Sequence, residues 1–266
     1  MTKKDLRHRR PALDPALILS ELVNGSSNWR DITVLAQVTS TNDVAIARLL
    51  EATDAGVFAV TADEQLAGRG RLQREWTSAF GAGIALSVAI PTARFSCPIS
   101  AIPLVVGVAI NNCLLRHGVA AKLKWPNDLM IATTSGELGK VGGILVQLQN
   151  NHVVVGIGIN TGLEVSELPT QLATSLAIAG FDISREVLIA QILAELEITI
   201  GDSPENWHEK YVSMSSTIGD RVRVTNLNQE MLSGFAKSIS NAGALILETE
   251  QGLVEVIAGD VMKVRT

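Results

Sequence analysis

Residues 152–160, HVVVGIGIN, set the strictest condition on how this chain can fold. At a strand period of two, Val155, Ile157 and Ile159 point to one side, and Gly156, Gly158 and Asn160 to the other. The first side asks for a hydrophobic cover. The second is a sheet surface stripped of side chains and closed by an amide. Glycine inside a strand loses backbone entropy and packs nothing. Such a surface serves either as the seat of another backbone or as a floor for a flat ligand. Gly142 and Gly143 open the apolar strand 141–149 in the same manner, behind a turn at 133–140 that ends in Lys140.

A second stretch, TADEQLAGRGRLQREW at 61–76, carries the alternation Gly68-Arg69-Gly70-Arg71. Glycine lets an N–H approach a ligand oxygen, and arginine offers a planar fork that matches carboxylate and phosphate. The pattern fits a loop built for a small anion. It also fits a solvated turn or an RNA-binding segment. Composition weighs against nucleic acid. The first ten residues hold Lys3, Lys4, Arg7, Arg9 and Arg10 against Asp5, and the rest of the chain has 17 basic against 26 acidic side chains. A body of that sign does not suit a phosphate backbone, and the basic start ending at Pro11 reads as a solvated tail.

In chain order, 15–24 reads as a short amphipathic helix and 33–38 as a strand. Ser40-Thr41-Asn42 then opens a helix, with Ser40 or Thr41 as its cap. A helix start also displays unpaired N–H groups beside hydroxyl and amide side chains, which suits a neutral polar ring. Strands are expected at 57–62 and 83–90. The uncharged run 99–115 is too short for a bilayer span of about 20 residues. It also contains Pro103, Gly107, Asn111 and Asn112, so a buried core helix is expected at 98–118. The strand 121–125 ends in Lys124-Trp125-Pro126-Asn127-Asp128, where Pro126 holds Trp125 extended and Asn-Asp favours a turn. Helices follow at 184–200 and 204–215.

From Ile218 the period shifts to short strands with turn signals every eight to twelve residues, as in a small β-barrel of about fifty residues. The expected division is a tail and short helix at 1–32, a catalytic domain at 33–216 and a barrel at 217–266. Cys97 and Cys113 lack the short spacing of a zinc site, no apolar leader follows the basic start, and a reducing cytoplasmic setting is expected.

Taken together, Ser40-Thr41-Asn42, 65–71 (QLAGRGR), Lys124-Trp125-Pro126-Asn127-Asp128, the segment from Gly139-Lys140 to Leu145, and Gly156-Ile157-Gly158-Ile159-Asn160 resemble the biotin protein ligases in order and spacing over about residues 33 to 266. The resemblance implies a mixed α/β catalytic domain related to class II aminoacyl-tRNA synthetases, followed by an SH3-like barrel. It implies the monofunctional type, because too few residues precede Thr33 for a helix-turn-helix domain. No DNA and no membrane partner is expected, and a homodimer is admitted. Two departures stand out. Gln73 takes the place of a third loop glycine, and Val141-Gly142-Gly143 replaces the leucine–alanine–glycine that often follows the lysine.

The family's reaction activates biotin with ATP, Mg²⁺ assisting, to biotinyl-5′-adenylate. It then biotinylates a lysine of a biotin carboxyl carrier domain. By resemblance, Lys140 bridges the biotin carboxylate and the α-phosphate, and Gly68, Arg69, Gly70, Arg71 and Arg74 belong to a loop that closes over the adenylate. Ser40, Thr41, Asn42 and Gln65 meet the ureido ring, while Gly143, Gly156 and Gly158 leave room for it. Trp76 covers adenine, Asn127 and Asn160 read its edge, Lys124 faces the phosphates, and Asp128 serves the attacking carrier lysine. No protein ligand is expected for the metal. The related alternative is a lipoate or octanoate ligase or transferase.

Overall fold

The computed structural model describes residues 10–25, 27, 29–51, 56–76, 78–226 and 228–264. Helix α1 (Pro15–Asn24) starts where Asp14 accepts hydrogen bonds from the N–H groups of Ala16 and Leu17, with Pro15 at its first position. Ile18 and Leu22, one turn apart, are its buried residues. Strand β1 (Ile32–Val38), helix α2 (Thr41–Glu51), strand β2 (Phe58–Gln65) and strand β3 (Gly83–Pro91) follow. A 3₁₀ turn then leads into the core helix α3 (Ile102–Arg116).

β4 (Lys122–Lys124) turns through Trp125–Asn127 into β5 (Asp128–Ala132), a strand that the sequence does not announce, and then β6 (Leu138–Gln149) and β7 (His152–Asn160) complete the sheet. The seven strands run in the order β1-β2-β3-β7-β6-β5-β4; the β1–β2 pair is parallel and the others antiparallel. Helices α4 (Arg185–Thr199) and α5 (Pro204–Met214) follow, α4 capped by the Ser184 hydroxyl accepting from the N–H of Val187. The expected helix ends agree with these within a residue or two.

The period-two reading of β7 holds. Val153, Val155, Ile157 and Ile159 enter the large core beneath α3 and α4, while Val154 enters a separate small core with Ala45, Leu49, Phe58, Val60 and Ala89 under α2. One face of the sheet is therefore fully covered. The other is covered by α2 only at one end, and the glycines lie beyond that cover.

Helix α3 is the stretch flagged by its lack of charge. With the turn before it, 67% of Ile99–Arg116 is buried inside the molecule. Gly107 lets it approach the sheet, since a β carbon there would stand 3.3 Å from Leu123. The amide of Asn111 donates to the carbonyl of Ala121 (3.1 Å), and that of Asn112 to Glu195 (2.8 Å), which satisfies the polar groups a core helix must pair.

The C-terminal part is a five-stranded antiparallel sheet: β8 (Arg221–Asn226), β9 (Met231–Ile239), β10 (Leu245–Thr249), β11 (Gly252–Val256) and β12 (Gly259–Lys263), ordered β11-β10-β9-β8-β12. The change to short strands after Ile218 is as expected. Trp125 fastens this sheet to the rest. Its side chain is 1% exposed, and its indole N–H donates to the carbonyl of Gly243 (2.9 Å). The tryptophan that a plain turn would not require is thus a structural pin.

The basic start behaves differently from expectation. Lys3, Lys4, Arg7 and Arg9 fall outside the described residues, but Arg10 is not solvated: its fork grips Glu167 at 2.5 and 2.9 Å. Just behind it, the N–H of Leu13 donates to Asp63, and Arg185 pairs with the same carboxylate at 2.9 Å while also donating to the carbonyl of Pro11. Residues 10–14 are a strap.

Candidate active site

The half of the sheet that α2 leaves open is a cavity of about 490 Å³, within the range of small-molecule sites. Its floor is the glycine face. Gly143 pairs with Gly158 and Leu145 with Gly156 across β6 and β7, while Ala85 and Ser87 of β3 flank the same glycines on the other side.

Two side chains reach over this floor at the glycines. A β carbon on Gly156 would run into the side-chain amide of Asn42, and one on Gly158 would come within 2.5 Å of the Trp76 indole. Trp76 thus lies flat over the floor, with the Lys140 ammonium 5.7 Å from its ring centroid.

Helix α2 opens at one wall. The N–H and hydroxyl of Thr41 both donate to Gln65 Oε1 (2.8 and 3.1 Å). Asn42 donates to Gln147 (2.7 Å), and the Ser87 hydroxyl lies 2.7 Å from Thr41 Oγ1 and 2.6 Å from Asn42 Oδ1. Ser87 and Gln147 were not anticipated. A lone hydroxyl, fully buried in the otherwise apolar strand GIALSVAI, was the signal that could have found Ser87. Ser40 lines the same wall.

The glycine–arginine loop forms part of the rim. Gly68 stands apart from the cavity lining. Its carbonyl accepts from the N–H of Trp76 (2.8 Å), and a β carbon there would meet Trp76 O at 2.7 Å, so it closes the neck of the loop. Gly70, Arg69, Arg71 and Arg74 line the cavity. At the tip, Leu72 and Gln73 take φ of 55° and 60°. Gln73, standing where the family pattern has glycine, occupies the left-handed region that costs an L-residue about 1–2 kcal/mol.

Every cation in the cavity that forms an ion pair has its carboxylate on a different element. Arg69 pairs with Asp43 of α2, Arg74 with Asp260 of β12, and Lys140 with Asp128 of β5 at 2.5 Å. Arg71 is more enclosed and holds only weak oxygens, the Gly259 carbonyl at 3.3 Å and Asn127 Oδ1 at 3.5 Å. Burial lowers its pKa, with Asp260 and Asp128 pulling the other way and Arg74 adding to the fall. With no carboxylate paired to it directly, it keeps hydrogen-bonding capacity for an anionic ligand.

Lys140 sits within β6 and not in the turn before it. Its backbone is held on the far side, where its N–H donates to the carbonyl of Leu172 (2.7 Å) and its carbonyl accepts from Thr174 (2.9 Å). This segment supplies Pro169, Thr170, Leu172 and Ala173 to the cavity, and β12 supplies Asp260, Val261 and Met262. None of these was expected, because neither stretch carries a local signal. Asn127 and Asn160 line the cavity, but each spends an amide N–H on backbone, Ile144 O (2.8 Å) and Thr174 O (3.0 Å). Lys124 also lines it. The two cysteines are buried elsewhere, free, with burial pushing Cys97 up to about 11 and Cys113 up to about 12.

Residues 34–163 match the biotin/lipoate A/B protein ligase family, and 217–264 match the biotin protein ligase C-terminal domain. The chain is 31% identical over 275 residues to the biotin–[acetyl-CoA-carboxylase] ligase of Mycobacterium tuberculosis, with all of both chains covered. It is 29% identical to the bifunctional ligase/repressor BirA of Escherichia coli, over 96% of this chain and 78% of that one. Among solved structures, the biotin protein ligase of Aquifex aeolicus in complex with biotin and ATP superposes with a TM-score of 0.74 at 28% identity, covering 90% of this chain and 100% of that one. With the five motifs gathered round one cavity and a relative matching from end to end, the chain belongs to the biotin protein ligase family.

Proposed function

We propose that the chain is an ATP-dependent biotin–[acetyl-CoA-carboxylase] ligase. Biotin's carboxylate attacks the α-phosphate of ATP and releases pyrophosphate. A lysine of a biotin carboxyl carrier domain then attacks the mixed anhydride and releases AMP. The observation that carries this reading is the convergence of Lys140, Arg69, Arg71 and Arg74 on a single cavity floored by Gly143, Gly156 and Gly158. Two anions must meet in the first step, and preorganised cations in an enclosed site oppose their repulsion.

In this reading Lys140 leaves Asp128 to bridge the biotin carboxylate and the α-phosphate. Asp128, freed from that pair, accepts the proton of the carrier lysine in the second step. Arg71 takes phosphate oxygens, and Arg69 and Arg74 close the loop over the adenylate. Ser40, Thr41 and Gln65 receive the ureido ring, and Trp76 shifts to cover adenine. Mg²⁺ would come with the nucleotide and offset its charge, held largely by phosphates and water as that ion prefers; of the carboxylates lining the cavity, Asp128 and Asp260 are engaged with cations. Two free buried thiols suit a reducing cytoplasm.

Biotin is favoured over lipoate by the match of 217–264 to a biotin protein ligase domain and by the full-length relative. Incubation with biotin, Mg-ATP and an apo carrier domain should add one biotin's mass to the carrier. A carrier left unmodified by biotin but modified by lipoate would reject the reading. Lys140→Ala should abolish biotin-dependent pyrophosphate exchange with the fold intact.

A further inference from the structure

Among the described residues, Arg10 and Glu167 make a bidentate ion pair with side chains 13% and 5% exposed, outside the cavity lining. A second donor contact runs from Arg10 to the carbonyl of Gly162 (2.8 Å). The strap has been given space to reach them. Gly81 has φ of 65°, and a β carbon there would stand 2.7 Å from that of Arg10.

Glu167 is placed two residues ahead of the cavity wall. It ends the 3₁₀ turn Val165–Glu167, where its carboxylate also accepts from the N–H of Glu164 (3.0 Å). Pro169, Thr170, Leu172 and Ala173 follow as lining, and Leu172 and Thr174 bond the backbone of Lys140 on either side. The chain of contacts is continuous: Arg10 fork, Glu167 turn, wall, Lys140.

Resting on the ligase reading, we propose that Arg10 and Glu167 are positioning residues that fix the 169–173 wall and, through it, the backbone of Lys140. An arginine fork on a buried carboxylate locks position and direction at once, which a single point charge does not. The strap's other buried pair, Arg185–Asp63, is of similar burial (7% and 3%); it holds the strap at Pro11 and Leu13 and makes no contact of its own with the Arg10–Glu167 fork or the wall. It is therefore the control.

The test compares Arg10→Ala, Arg10→Lys, Glu167→Gln and Arg185→Ala in two measurements. One is kcat and KM of biotin-dependent pyrophosphate exchange at a temperature where each variant is folded by circular dichroism. The other is amide hydrogen exchange at Lys140 and Thr174. Arg10→Ala and Glu167→Gln should lower kcat at least tenfold and speed exchange at both amides at least tenfold. Arg10→Lys should recover part of both, and Arg185→Ala should change neither more than about twofold while losing comparable melting temperature. Equal losses in Arg185→Ala, or unaltered amide exchange in Arg10→Ala, would overturn the latch. If the unaltered protein showed no pyrophosphate exchange, the ligase reading would fall while the amide rates would still decide the latch. Should Arg10→Ala not fold, Arg10→Lys with slowed kcat and faster amides supports the proposal, and Arg10→Lys with neither rejects it.

Discussion

The indole of Trp76 lies directly on Gly158, so close that a single added methyl group at 158 would stand 2.5 Å from the ring. The bareness of the strand is thus matched to an aromatic side chain arriving from the far end of the glycine–arginine loop. Gly158→Ala should displace Trp76 and misplace whatever it covers. A displacement of about 1 Å in a site of this kind costs on the order of a hundredfold in rate. Pyrophosphate exchange, measured alongside an unfolding curve that stays near that of the unaltered chain, checks this.

Arg71 is the enclosed cation held only by a distant carbonyl and an amide oxygen. Charge-assisted bonds to a ligand phosphate contribute about 1.5–3 kcal/mol. Arg71→Ala should therefore lower kcat/KM for ATP by roughly 10- to 150-fold. Arg69 and Arg74 lie nearer solvent in exposed pairs worth at most about 1 kcal/mol to stability. Arg69→Ala should leave melting nearly unchanged and release adenylate into solution, read as free biotinyl-AMP by mass spectrometry.

Asp128 and Lys140 form one ion pair across β5 and β6. If Asp128 serves the second step, Asp128→Ala should slow transfer from preformed adenylate more than it slows adenylate formation. Single-turnover rates for the two steps decide it. Equal slowing would reduce Asp128 to a holder of Lys140.

Trp125 pins the C-terminal sheet through one indole N–H. Trp125→Phe keeps the ring and leaves the Gly243 carbonyl without that donor. Unfolding free energy should drop by about 1–3 kcal/mol, measured by urea titration.

Cys97 and Cys113 have thiols whose pKa burial raises to about 11 and about 12. The folded state thus holds protons that the unfolded chain releases first, at a thiol pKa near ~8.5. The contribution is complete below that value and is lost as pH climbs through the folded pKa, at about 1.4 kcal/mol per pH unit per thiol. Stability should fall above about pH 9, and Cys113→Ala should flatten that fall. At neutral pH neither thiol should react with iodoacetamide until the chain unfolds.

Much of this molecule was written in local pattern. The alternation in 152–160 set which side of β7 is buried, the turn spacing after Ile218 set the short strands, and Ser184 marked a helix start, because these are choices made between near neighbours on the chain. The glycine–arginine loop, Lys140 and the Ser40–Thr41–Asn42 start announced themselves by residue types that a plain core does not need. What the tertiary structure alone decided are the pairings across long separations: Arg10 with Glu167, Arg74 with Asp260, Trp125 with Gly243, and the 169–173 wall on Lys140. No periodicity encodes these. An ion pair or a carbonyl contact between distant residues acquires its energy only once the sheet, its covering helices and the C-terminal strands have brought the two groups together and excluded water from between them.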